Sequence, residues 1–153
     1  MKESEIKDLT IRLMEDEDTI KAAKLEEEVF SMPWKADDFK EMIKASYAYY
    51  FVACIEDEVV GICGLRDVAG EGEITNVVVS PLYRNKKIAY KLIEKVLDQC
   101  SQLNIKDVTL EVRVSNAPAI SLYEKFGFIG EGIRPNFYEK PNEDALIMWR
   151  RSN

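Results

Sequence analysis

ITNVVVSPLYRNKKIAYKLI, residues 74–93, passes from a β-branched run through a basic loop into a helical pattern. Valine and isoleucine pack well on a pleated surface, so Glu73 to Val79 reads as a strand. From Ile88 onward, Ile88, Leu92, Ile93, Val96, Leu97 and Cys100 fall on one face of a 3.6-residue period, which predicts a helix. A turn from strand to helix is where many folds hold a phosphate, because the N–H groups freed at the helix N-terminus converge on the anion. Arg84, Lys86, Lys87 and Lys91 are the densest positive cluster in the chain. Yet the loop has no glycine, and neither the P-loop pattern nor GxGxxG is present. By itself the stretch suits a charged turn as well as a phosphate site.

The segments before it predict a sheet. DLTIRLM (8–14) reads as a first strand, and 15–30 as a helix with Ile20, Ala23, Leu25 and Val29 inward. SMPW breaks that helix, and 35–45 gives a second short one with Phe39 and Ile43 inward. Residues 47–55 and 59–65 read as a hairpin joined by EDE. After the long helix, DVTLEVR (107–113) alternates, with Val108, Leu110 and Val112 on one face and Thr109, Glu111 and Arg113 on the other. Asn116 is a candidate N-cap for a short helix through Glu124, with Pro118 in its first turn and Gly127 at its end. Strands follow from Phe128 and over 145–150. Antiparallel hairpins followed by strand–helix–strand–helix–strand make the class α+β, or mixed α/β.

Composition excludes several classes of function. The 153 residues, 46% hydrophobic and 32% charged, suit one globular domain spanning 1–153. The absence of histidine removes Ser-His-Asp and Cys-His catalysis and disfavours zinc chemistry, so no metal is expected. A net charge of −7 argues against nucleic acid or an anionic membrane as partner, so an anionic ligand needs a local reversal of sign. ASYAYYFVACI is too short to span a bilayer, and MKESEIKDLT has no secretory pattern. Cys54, Cys63 and Cys100 lie among apolar neighbours and read as buried free thiols, in keeping with a cytoplasmic protein.

LEVRVSNAPAISLYEKFGF (110–128) gathers a strand carboxylate, a capping Asn and a helix tyrosine. Each has an ordinary structural use. Taken with VSPLYRNKKIA (79–89), however, the segment resembles the GCN5-related N-acetyltransferases (GNAT). EEEVFSMPW (26–34), ITNVVV (74–79) and GIRPNFYEKPNEDALIM (132–148) resemble, more narrowly, the bacterial ribosomal-protein-alanine N-acetyltransferases. The resemblance implies a mixed, mostly antiparallel sheet of about seven strands with splayed fourth and fifth strands, flanked by about four helices. It implies acetyl-CoA as cosubstrate and a protein N-terminus, that of a ribosomal protein, as acceptor, with direct transfer and no covalent enzyme intermediate.

Residue by residue, the resemblance has main-chain groups of Val77, Val78 and Val79 hold the pantetheine arm, one N–H polarising the thioester carbonyl. The pyrophosphate loop falls on Arg84, Asn85, Lys86, Lys87, Ile88 and Ala89, with Tyr90 following, and Asn116 is the family's cofactor-contacting Asn. Glu111 corresponds to the general base, Tyr123 to the acid toward the leaving thiolate, and Tyr138 to an aromatic wall of the acceptor site. An α-amino group titrates near ~7.7–8.0 and lysine near ~10.4, so a carboxylate frees an N-terminal amine more readily. Glu73, on the fourth strand, is a rival base. Lys87 stands where the family has its first loop glycine: a positive φ there costs roughly 1 kcal/mol for lysine, and a negative φ costs nothing. A small-molecule amine or lysine side chain as acceptor, and a non-catalytic acyl-CoA-binding module, are the competing readings.

Overall fold

The structure, a computed structural model, describes residues 8–84 and 87–152. Its elements are β1 (Leu9–Leu13), α1 (Thr19–Val29), α2 (Ala36–Lys44), β2 (Ala48–Ile55), β3 (Glu58–Val68), β4 (Glu71–Val79), α3 (Ile88–Gln102), β5 (Val108–Arg113), α4 (Ala117–Lys125), β6 (Ile129–Tyr138) and β7 (Glu143–Arg150). The strands form one seven-stranded sheet in the order β1-β2-β3-β4-β5-β7-β6. Every neighbouring pair is antiparallel except β4 and β5, which α3 joins in parallel as a crossover must. The mixed sheet is the one expected. No helix among the described residues is long and apolar enough to cross a membrane.

Both faces of the sheet are covered, which explains the unbroken apolar run in β2. Phe51, Ala53, Val60, Cys63 and Leu65 pack under Ile88, Leu92, Ile93 and Val96 of α3. Their strand neighbours Tyr50, Val52, Cys54 and Ile62 face the other way, against Ala22 and Leu25 of α1 and Phe39 of α2. All three cysteines are free and buried, and burial pushes their thiols above the usual range, Cys100 to about 11. In β5 the alternation holds: Val108, Leu110 and Val112 enter the α3 side of the core, while Thr109, Glu111 and Arg113 face away.

One helical face departs from the expectation. Ile20 is 63% exposed, and the inward face of α1 is Thr19, Ala22, Leu25 and Glu26 instead. The apolar pattern pointed outward at Ile20 because the buried stripe includes a threonine and a glutamate, residues that a hydrophobic period assigns to solvent.

Two backbone features shape the middle of the sheet. β3 and β4 pair as Gly64↔Thr75 and again as Ile62↔Val78, so Asn76 and Val77 together oppose Cys63 in a β-bulge. Asn76 takes a left-handed φ of 52° there. On the far side, β4 and β5 pair only as Gly72↔Val108 and Glu73↔Thr109; beyond that point the strands part.

The loop before α3 resolves the question that Lys87 raised. Lys87 is left-handed, φ 61° and ψ 21°, and caps α3 with its carbonyl accepting from Lys91 N–H at 3.0 Å. Lysine therefore occupies a glycine conformation with its strain. Asn85 and Lys86 lie outside the described residues. Lys87→Gly should be more stable than Lys87→Ala by roughly 1 kcal/mol, since both remove the side chain but only glycine relieves the Cβ clash. Thermal melts of the two variants check this; equal midpoints would mean that the left-handed cap is not adopted in solution.

Candidate active site

The parting of β4 and β5 opens a gap whose walls are main chain on one side. Ser80 N–H donates to Val60 O at 2.8 Å, so Ser80 faces β3. Main-chain groups alternate along a strand, so Val79 turns its N–H and C=O toward the gap, and the C=O of Val77, in one peptide plane with the β3-facing Val78 N–H, points the same way; the N–H of Val77 belongs to the bulge, where the alternation is interrupted. Val78 pairs with Ile62 on β3 and buries its side chain toward α1 and α2.

The N-terminus of α3 follows directly from this strand. The first-turn N–H groups of a helix have no intrahelical acceptor and carry partial positive charge. Ile88 anchors that turn in the core, Ala89 is half-buried, and Tyr90 is partly exposed with its ring 4.6 Å from that of Phe126 in α4. Arg84 and Lys87 are exposed beside the turn, and Lys91 is half-buried one turn on. A helix N-terminus at the end of a gap lined by main chain, with cationic side chains around it, suits a long ligand that ends in phosphates.

α4 lines up with α3 through its own caps. Asn116 Oδ1 accepts from Ala119 N–H at 3.3 Å, opening the helix as expected. At the other end Gly127 has φ 92°, and Phe128 N–H reaches back to Tyr123 O at 3.1 Å, a Schellman closure. That closure swings Phe128 under the helix, edge-on to Tyr123 at 6.0 Å. Tyr123 is thus buried, and burial raises its phenol well above the ordinary value.

Glu111 lies on β5 beyond the last β4–β5 pair and faces away from the α3 core. Its Oε2 accepts from Arg134 Nε of β6 at 2.5 Å. Two residues along β5, Arg113 donates to Glu143 Oε1 at 3.1 Å and lies 4.5 Å over the Tyr138 ring. Ser115, then Arg113, hold Glu143 below the usual carboxylate range. Burial first, and then the Glu111 charge, push Tyr138 up to about 12. β7 sits between β5 and β6, pairing Ala145 with both Arg113 and Arg134, and so gathers Glu111, Arg113, Arg134 and Tyr138 into one cluster.

Glu73 has different surroundings. It faces Thr109 where β4 and β5 are still paired, and its Oε1 accepts from Arg66 Nε at 3.0 Å and also from the Arg66 Nη2. The two acids therefore stand at the closed end and beside the open part of the gap.

Two groups lie in the quoted stretches 26–34 and 132–148 without standing out there as functional residues. Nothing local marks Arg134 as the partner of Glu111, because only the β5-β7-β6 register brings the two together. Glu26 did carry a local signal: it is four residues after Ala22 and three before Val29, an acid on the apolar stripe of α1. It is 1% exposed, and its carboxyl accepts from Trp34 N–H at 3.0 Å and Asn76 Nδ2 at 3.2 Å.

Residues 19–128 match the acetyltransferase (GNAT) family. The chain is 38% identical over 140 residues, 91% of its length and 93% of the relative's, to a Bacillus subtilis protein with a provisional designation as a ribosomal protein bS18-alanine N-acetyltransferase. It also resembles the crystal structure of the ribosomal-protein-S18-alanine N-acetyltransferase from Escherichia coli, with a TM-score of 0.86, 29% identity and 95% of each chain covered. The Arabidopsis thaliana NAA60 structure with acetyl-CoA shares the fold at a TM-score of 0.85 and 18% identity, over 94% of this chain and 99% of that one. A mixed sheet that opens between β4 and β5, a helix N-terminus at the end of the opening and a family match over most of the chain agree: this protein belongs to the GNAT acetyltransferases and is an acyltransferase.

Proposed function

We propose that this enzyme transfers acetyl directly from acetyl-CoA to a protein N-terminal amine, that of the alanine of a small-subunit ribosomal protein, in the cytoplasm. The observation that carries the reading is the gap between β4 and β5, with Val77 and Val79 on one wall and Glu111 beside its open part. The Bacillus and Escherichia coli relatives, named for ribosomal protein bS18 and S18, support the choice of acceptor. The NAA60 structure, solved with acetyl-CoA, supports the choice of donor.

Bound acetyl-CoA would supply the thioester that the amine attacks. The first-turn N–H groups of α3 at Ile88, Ala89 and Tyr90, with Arg84 and Lys87, are the groups suited to its pyrophosphate. Asn85 and Lys86 belong to the same proposed grip. The main-chain N–H groups of Val77 and Val79 would serve the pantetheine amide and the carbonyl that gains charge, a stabilisation worth several kcal/mol at about 10²–10³-fold per donor. Val78, bonded to β3, would keep that strand rigid, and the Asn116 side chain would meet the arm from the start of α4. Glu111 would take the amine proton on Oε1, with Arg134 retaining Oε2. Tyr123, which burial keeps in its phenol form before the transfer, would give its proton to the departing sulfur, and Tyr138 would wall the peptide N-terminus.

Two measurements test this. Thiol release should appear with acetyl-CoA and a peptide beginning with free Ala, and vanish when that Ala is acetylated even if an internal lysine remains. Transfer to the lysine of the blocked peptide would overturn the choice of acceptor, and silence with every peptide would favour a binding module. The second concerns the base: Glu111→Gln should lower kcat by about 10²–10⁴-fold, whereas Glu73→Gln, remote from the open gap, should stay within about tenfold. The opposite order would move the base to β4.

A further inference from the structure

Glu26 is one of three successive acids, and Glu27 and Glu28 are exposed as acids on a helix ordinarily are. Its own carboxyl is buried and held by neutral donors, a main-chain N–H and a carboxamide. Burying a carboxyl in this way raises its cost of ionisation, and burial does push Glu26 above the usual carboxylate range. An apolar side chain would fill the same place on the α1 stripe without that cost. The hydrogen bonds indicate what the acid is there for.

They run in one chain across four segments. Trp34 N–H donates to Glu26 Oε1, and Asn76 Nδ2 donates to Glu26 Oε2. Tyr50 OH donates to Asn76 Oδ1 at 3.0 Å and lies 2.8 Å from Thr75 Oγ1. A phenol has a single proton, so with that proton on Asn76 the Thr75 hydroxyl is the donor to Tyr50. Both ends of the Asn76 carboxamide are thereby held. Asn76 is the left-handed residue of the β4 bulge, a conformation that persists only where the surroundings over-determine it. The next residue is Val77, the second residue of the bulge, at the edge of the gap. At its other end the chain holds Trp34, in the turn between α1 and α2, whose ring stacks on Tyr50 at 5.9 Å.

We infer that Glu26 is a positioning residue: through Asn76 and Tyr50 it fixes the β4 bulge that sets the direction of Val77 N–H at the edge of the gap, and through Trp34 N–H it ties the α1–α2 turn to that bulge. The inference rests on the acetyl-transfer reading above, but it concerns polarisation of the acyl carbonyl and so holds for any amine acceptor. A bulge that relaxes would re-aim the main-chain N–H of Val77 at the edge of the gap, and a shift of this kind costs on the order of 10²-fold in rate without contact to the reacting atoms.

The test uses the full chain with Glu26→Gln, Tyr50→Phe and, as control, Glu28→Gln. Glutamine can accept from only one of the two donors, and phenylalanine keeps the ring while deleting the hydroxyl that holds Asn76. Both variants should lower kcat by about tenfold to a hundredfold with acetyl-CoA KM within about twofold, and both should speed amide exchange at Asn76 and Val77. Glu28→Gln should match the unsubstituted protein. A merely structural Glu26 would lower the melting temperature and leave kcat of the folded protein within about twofold; that result, or unchanged exchange at Val77, overturns the inference. Should Glu26→Gln fail to fold, Tyr50→Phe decides alone. Failure of the N-terminal acceptor is a separate outcome, seen in the unsubstituted protein, and leaves the exchange measurement to decide on Glu26.

Discussion

Two parallel strands that stop pairing part-way must leave main-chain donors and acceptors facing an opening, and the rest of this protein is arranged around that opening. β4 and β5 share a ladder only at Gly72–Val108 and Glu73–Thr109. The bulge at Asn76 and Val77 increases the bend and twist of β4 where the ladder ends. β5 instead follows β7 over its whole length, from Val108↔Arg150 to Arg113↔Ala145. Burying peptide groups without partners costs several kcal/mol in an apolar setting, so a gap lined by them is a place for a ligand that supplies amides and carbonyls of its own. The α3 crossover then puts a helix N-terminus at the end of the same strand.

Charge follows this geometry. With a net charge of −7, the molecule repels anions at long range, and the local reversal of sign is at Arg84, Lys87 and Lys91 together with the helix N-terminus. Lys87 adopts the left-handed angle that glycine would take without strain. Across the gap, charges alternate: Glu111 with Arg134, and Arg113 with Glu143, the latter cation also lying on Tyr138. Arg113 ties the β6–β7 hairpin to β5 through Pro141 O and Glu139 O as well.

Much of the fold was legible in the residues. The β-branched run at 74–79, the helical spacing from Ile88 to Cys100, the alternation of 107–113 and the Asn116 cap each depend on neighbours in sequence, and each element formed where that local chemistry put it. The first helix shows where the reading stops. Its hydrophobic period favoured Ile20 as an inward residue, whereas Glu26 is inside and Ile20 is outside. Glu26 can be buried only because Asn76, fifty positions away in the chain, presents its carboxamide. The candidate site divides in the same way. Glu111, Tyr123 and the loop from Arg84 to Tyr90 lie in quotable motifs, and so does Arg134, but nothing in its motif pairs it with Glu111.

The sequence by itself determined which segments are strands and helices, which faces of most of them are apolar, and where the chain turns with cationic side chains into α3. Those properties follow from propensity, periodicity and caps, and so act over a few residues. The tertiary structure alone decided the early parting of β4 from β5, the left-handed angles at Asn76 and Lys87, the burial of Glu26 and the pairing of Glu111 with Arg134. Each depends on strand order and register, which join residues far apart in the chain, and no local preference of a glutamate or an arginine encodes which partner it will face.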